Sequence, residues 1–269
     1  MKKIALLCSF LWFAHQLSGM AAAEMRPVPK MRAGIPPFTV IEAIARANQQ
    51  SVALTAKQPP TPRTTPYMTW LADCDARIHE GLVIGTDADK VYTVRNLGNQ
   101  LALATGAIDY GIRQLYSPVL LITGHTGSET LRAFMEGYAH LGDAIRRDLD
   151  HLHLPMAEPP ADKENKKQNP AEIRWLHLVE QNVDYQVAQA VERYQDRIKE
   201  GRLVVIGGVI DLANQYGEGK DRLFFINING ETDPVKLRKL RHLVRLDPDQ
   251  LGFVGRRPPT KASSASSDQ

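Results

Sequence analysis

Short apolar runs alternate along this chain with longer amphipathic stretches, and the alternation predicts an order of elements. Tyr67 to Ala72 and Val91 to Val94 read as strands. Pro118 to Thr123 (PVLLIT) is continuously apolar and stops before a glycine, the pattern of a strand buried on both faces. Leu203 to Ile210 predicts a fourth core strand, and Leu223 to Ile228 a fifth at the sheet edge. Helical spacing appears from Phe38 to about Ala56, where Ile41, Ile44, Ala45 and Val52 share a side. It appears again over 100–116 and from near Thr126 past Tyr138. A long amphipathic helix then runs to about Lys199, with Ile173, Leu176, Val183, Val187 and Ala190 on its buried side and Gly201 ending it. Residues 234–246 predict a basic amphipathic helix. Strands alternating with helices imply an α/β fold: a mainly parallel β-sheet flanked by helices, joined by right-handed crossovers.

Proline and polar clusters mark the boundaries. Pro27, Pro29, Pro36 and Pro37 make residues 24–37 an extended arm, and Pro59, Pro60, Pro62 and Pro66 stop the helix that follows. Residues 154–170 read as an exposed loop, and the Ser-rich tail 258–269 as disordered. Lys2 and Lys3 precede an apolar run from Ile4 to Leu17, and Ala21-Ala22-Ala23 follows. That order is a secretory signal peptide over residues 1–23, with a mature amino terminus at Glu24 and a periplasmic or secreted product. The expected organisation is therefore the signal peptide, an arm and helix over 24–66, the α/β domain over 67–232, a basic C-terminal helical segment over 233–257, and the tail.

Charge and cysteine usage narrow the classes of function. Of 269 residues, removal of the first 23 leaves 246 and takes away two lysines, so the formal charge falls from +3 to +1. A nearly neutral protein has no global electrostatic reason to bind nucleic acid. The apolar run of the signal is too short to span a bilayer, and no later run is long enough. The mature chain keeps one cysteine, Cys74, so an intramolecular disulfide is excluded and stability must come from packing.

Ligands of open parallel sheets bind beyond the carboxyl ends of the strands. Three polar clusters fall at such ends: Asp73-Cys74-Asp75-Ala76-Arg77, Arg95-Asn96-Leu97-Gly98-Asn99 and Gly124-His125-Thr126-Gly127-Ser128. Together they resemble the β-class carbonic anhydrases, whose motifs are C-x-D-x-R, R-N-x-G-N and G-H-x-x-C-G in that order. Asn182 to Gln186 and the stretch from Gly201-Arg202-Leu203 to Asp211-Leu212 resemble that family's closing helix and strand. The similarity covers roughly residues 38 to 230. The resemblance implies zinc held by two cysteines and a histidine, a metal-bound hydroxide that attacks carbon dioxide, and a homodimer whose amino-terminal arm packs on the other subunit.

The chain departs from that pattern at the ligands themselves. In this register the first zinc cysteine falls on Asp73 and the second on Ser128, while the zinc histidine is kept as His125. Alternation along extended chain puts Asp73, Asp75 and Arg77 on one side and turns Cys74 and Ala76 toward the core. A serine hydroxyl is a poor metal ligand. If a metal is held, the set is Asp73, Asp75 and His125, which would accept zinc, manganese or iron loosely. The other reading is a metal-free polar cluster with no cofactor, in which Arg77 pairs with Asp75 and Asp73 lies near His125. Asp75 and Arg77 correspond to the family dyad that orients the hydroxide, or to its relic.

Two functions follow from these readings. One is a carbonic-anhydrase-like pseudoenzyme with lost or weakened activity, acting by binding a small bicarbonate-like anion or a protein partner. The other is an active carbonic anhydrase using an unusual Asp/His site. His151 and His153 read as solvated. The basic helix has Lys236, Arg238, Lys239, Arg241 and Arg245 opposite Leu237, Leu240 and Val244. It either covers the sheet with its charges in water or touches anionic lipid.

Overall fold

The computed structural model of the chain describes residues 37–55, 66–85, 90–155 and 171–258. The signal peptide, the arm, residues 156–170 of the expected loop and nearly all of the tail lie outside them. Helix α1 (Pro37–Thr55) falls in a compact unit of its own, residues 1–61, and exposes Val40, Ile41, Ile44 and Val52.

In the second unit five strands form one sheet. They are β1 (Met68–Asp73), β2 (Val91–Asn96), β3 (Val119–His125), β4 (Val204–Asp211) and β5 (Arg222–Ile228), in the order β2-β1-β3-β4-β5. The first four are parallel, and β5 pairs antiparallel with β4. The helices are α2 (Gly81–Ile84), α3 (Thr105–Asp109), α4 (Glu129–Glu136), α5 (Asp143–Asp150), α6 (Ala171–Arg193), α7 (Gln195–Lys199), α8 (Pro234–Leu237) and α9 (Pro248–Leu251).

The sequence pattern of each strand follows from its place. β1 lies inside the sheet, between β2 and β3, and is buried along its whole length, whereas β2 lies at an edge and is half-buried. On one face Leu71, Leu120 and Ile122 pack against Ile108, Ile112, Val179, Val183 and Val187. A smaller cluster of Met68, Trp70, Leu121, Ile210 and Ile78 covers the other. Helix α6 approaches closely because two strand residues lack side chains. A Cβ on Gly124 would stand 2.7 Å from Val179 Cγ1, and one on Gly207 would stand 2.8 Å from both Val183 and Val187. His125, the last residue of β3, follows directly after Gly124.

Three helical expectations change. The helix expected to run past Tyr138 stops at Glu136, because Gly137 takes φ +99°, and a separate helix α5 follows. The long helix breaks at Tyr194, whose ψ of 22° leaves the helical range, and resumes as α7. The basic helix over 234–246 does not form as one helix. Asp233 caps α8, Leu240 adopts an extended ψ of 137°, and a 3₁₀ turn follows over Arg241–Leu243.

Residues 253–255 then run beside β5. The Phe225 N–H donates to Phe253 O at 3.0 Å, and the Gly255 N–H donates to Phe225 O at 2.8 Å. Arg256 fastens this segment to α6 by pairing with Asp184 and Glu180.

Candidate functional site

The carboxyl ends of β1, β2 and β3 are level, with Asp73 opposite Asn96 and Ala72 opposite Thr123. The residues just beyond therefore meet. Asp73 is the hub, and both its oxygens are surrounded by donors. Its Oδ1 accepts from the Cys74 N–H at 2.8 Å, the Gly98 N–H at 3.1 Å and the Thr130 hydroxyl at 3.1 Å. Its Oδ2 accepts from Ser128 Oγ at 2.8 Å and lies 3.3 Å from His125 Nε2. Asp73, His125 and Ser128 are each about 1–2% exposed. The five sequence-identified residues thus converge, but these three form a closed buried cluster and do not line an open cleft.

Local structure explains each position. Ser128 is the N-cap of α4, and its hydroxyl accepts the Leu131 N–H at 3.3 Å while donating to Asp73. Gly98, at φ +74°, makes the tight turn after β2 that aims its N–H at Asp73. Asn182 and Gln186 of α6 brace the same turn, donating to Gly98 O at 2.9 Å and accepting from the Leu101 N–H at 2.9 Å respectively.

His125 is held between acceptors. Its Nδ1 lies 3.1 Å from Thr126 O, and its Nε2 faces Asp73 Oδ2 and, at 3.9 Å, Asp75 Oδ2. Both ring nitrogens therefore face oxygen acceptors. Thr126 continues the network, donating from Oγ1 to Asp211 Oδ1 at 3.0 Å.

Asp75 and Arg77 close on each other at the rim. Arg77 donates to both Asp75 oxygens, from Nε at 2.9 Å and from Nη2 at 2.6 Å, and also to Gly127 O at 2.8 Å. Asp75 is nearly covered, while half of the Arg77 side chain is exposed.

These contacts move the carboxyl groups. Burial pushes Asp73 up, but bonds from His125, Gly98 and Ser128, with the nearby His125 charge, more than offset it and leave the group below its usual range. The Arg77 hydrogen bond, against burial, holds Asp75 down at about 2. Two carboxylates would otherwise raise each other; here hydrogen-bond donors surround Asp73 and the Arg77 guanidinium pairs with Asp75.

Cys74 does not turn into the core. β1 ends at Asp73, strand alternation ends with it, and Cys74 and Ala76 are both exposed. Burial of part of the thiol and the adjacent Asp73 carboxylate push it up. The sequence reading did not single out Thr130, which joins the cluster from two residues inside α4, or the pairing of Thr126 with Asp211. His153, read as solvated, is exposed but bonds the Tyr138 hydroxyl at 2.7 Å.

The carbonic anhydrase family model matches residues 68–218, which includes every residue of this cluster. The chain belongs to the carbonic anhydrase family. Its fold is that of the β class. It is similar to a tetrameric β-carbonic anhydrase of Sordaria macrospora, with a TM-score of 0.60 at 17% identity, over 71% of this chain and 98% of that one. It is also similar to the Coccomyxa β-carbonic anhydrase solved with acetazolamide, with a TM-score of 0.55 at 18% identity, over 82% and 97%. A third likeness is to the Aspergillus fumigatus enzyme CafA, with a TM-score of 0.57 at 20% identity, over 70% and 91%. At these identities the likeness is one of fold. No curated protein matches the chain.

Proposed function

We propose that this is an exported β-carbonic-anhydrase-like protein whose zinc site has been replaced by hydrogen bonds. It hydrates carbon dioxide weakly or not at all, and acts by binding a small bicarbonate-like anion or a protein partner. The observation that carries this reading is the saturation of Asp73. A carboxylate offers about four lone-pair sites, and five donors of the chain surround this one.

The donors present do not fit the zinc that the family resemblance implies. Structural and catalytic zinc takes thiolate, imidazole or carboxylate ligands. Ser128 supplies a neutral hydroxyl already spent on Asp73 and on the Leu131 N–H. The Asp73 and Asp75 carboxylates that face His125 are likewise engaged, by Gly98, Ser128 and Thr130 and by Arg77 respectively. What remains at the rim is Arg77, half-exposed, the cation that an incoming anion would meet.

Elemental analysis of the purified protein, paired with a carbon dioxide hydration assay, tests the reading. Sub-stoichiometric zinc and negligible hydration are expected. Full zinc occupancy with efficient turnover would refute it and assign the metal to His125 and Asp73, with Asp75 beside them.

Export and assembly belong to the same proposal. The signal over residues 1–23 directs the chain to the periplasm or beyond, and mass spectrometry finding Met1 intact on exported protein would refute that. Among the described residues no helix is long and apolar enough to cross a membrane. The exposed Ile41 and Ile44 of α1 need cover, which a second copy would supply in a homodimer. Light scattering reporting a monomer at micromolar concentration would count against the dimer.

A further inference from the structure

Between Leu237 and Leu246 every third residue is a leucine. Leu237 and Leu243 are buried, and Leu240 and Leu246 pack beside them in a small core with Ile228 and Val254. Bonds from the Leu240 N–H to Leu237 O, from the Leu243 N–H to Leu240 O and from the Leu246 N–H to Leu243 O, at 2.9–3.0 Å, maintain the three-residue step. That step leaves the intervening pairs outside. Arg238-Lys239, Arg241-His242 and Val244-Arg245 are all exposed, as is Lys236.

The cations of this ridge form no salt bridge among the described residues, although Lys236 and Lys239 stand near enough to Asp233 to help hold its carboxyl below the usual range. Arg256 and Arg257 nearby are paired, with Asp184 and Glu218 respectively. Lys236, Arg238, Lys239, Arg241 and Arg245 form no ion pair with any described residue. The flanking acids, Asp233 and Asp247, spend their oxygens capping α8 and α9. The five charges are also segregated. The chain carries +3, so without this stretch it would carry 3 − 5 = −2. Among the cations Val235 is 60% exposed and Val244 80%.

The geometry points to a docking surface for an anionic lipid bilayer. Unpaired lysines and arginines meet headgroup phosphates, and Val235 and Val244 reach the acyl boundary between them. The buried leucines hold the ridge to the sheet, so the charges are presented without a folding step. The stretch from Pro234 to Leu246 holds no Phe, Tyr or Trp and only one ring, that of His242, on which a base could stack, so a nucleic acid fits it less well.

The test uses the full chain and sedimentation with vesicles, of phosphatidylcholine alone or doped with phosphatidylglycerol. Association with the doped vesicles is expected, with none to phosphatidylcholine and loss at high salt. The triple change Arg238→Gln, Lys239→Gln and Arg241→Gln should weaken association on the order of a hundredfold, at roughly fivefold per cation. Its melting temperature should be nearly unchanged, because these exposed side chains form no hydrogen bond or salt bridge among the described residues. Val244→Asp should weaken association with every cation in place. Failure to bind doped vesicles at low salt overturns the proposal, and so does full binding by the triple variant. Capture by heparin without capture by vesicles would assign the ridge to a polyanion instead.

Discussion

Ser128 Oγ donates to Asp73 Oδ2 at 2.8 Å and, from the same atom, accepts the Leu131 N–H at 3.3 Å. One hydroxyl therefore starts a helix and fixes the centre of the site. Ser128→Ala removes a helix cap, about 1 kcal/mol, together with one donor to a buried carboxylate, about 1–3 kcal/mol. Chemical denaturation should show a loss in that range, and a loss below the cap alone would mean that the Asp73 bond contributes nothing.

Asp73 has more to lose. Its replacement by alanine strands His125 and the Gly98 N–H in a buried place, and removing one partner of a buried pair costs about 3–5 kcal/mol. Asp73→Asn keeps the shape but points an N–H₂ at groups that donate. Both variants should be strongly destabilised, with asparagine no better than halfway restored, as read from urea midpoints. A mild effect of alanine would show that the cluster is loosely held.

Acid should weaken the fold through the same carboxyls. Asp75 titrates at about 2 when folded, below the ordinary aspartate value of 3.8, and Asp73 is also lowered. A depressed folded value means stability that is present above the unfolded value and lost as pH falls through the folded one, a window from about 4 to 2. Because Arg77 is half-exposed, the Asp75 share is only about 1 kcal/mol. Arg77→Gln should move the Asp75 titration upward in carbon-detected NMR and flatten the acid limb. An unmoved Asp75 would discount the pair.

Asp73→Cys with Ser128→Cys should build a two-thiolate, one-imidazole set around His125. Each new ligand ionises on binding metal, so zinc affinity should rise steeply with pH and by orders of magnitude over the unmodified chain. Zinc titration with a competing chelator reads this directly. No gain in affinity would show that His125 is not aimed between the two positions.

The sheet was legible because its central strands are uniformly apolar: PVLLIT can hardly be anything but a buried strand, and Val119–His125 is one. The three polar clusters were legible as strand ends for the same reason. Cys74 was misjudged because alternation was extended past the last paired residue, where the backbone turns and the Ile78 N–H bonds Asp75 O. The leucines after Asp233 were read with a 3.6-residue period, which a spacing of three imitates over a short span. Only the extended Leu240 separates the two. Thr130 carried no signal of its own, since its role depends on Ser128 opening α4 and turning the first helical turn toward Asp73.

The strip of chain at 253–255 has a consequence for how copies of this sheet can be joined. It consumes the outward N–H and carbonyl of Phe225, at the middle of the β5 rim. A foreign strand arriving there finds its hydrogen-bonding partners already taken. The opposite rim, β2, has no such cover among the described residues. A sheet with one shut margin can be extended from one side only, so strand-to-strand joining ends after a single pair and does not propagate into a ribbon.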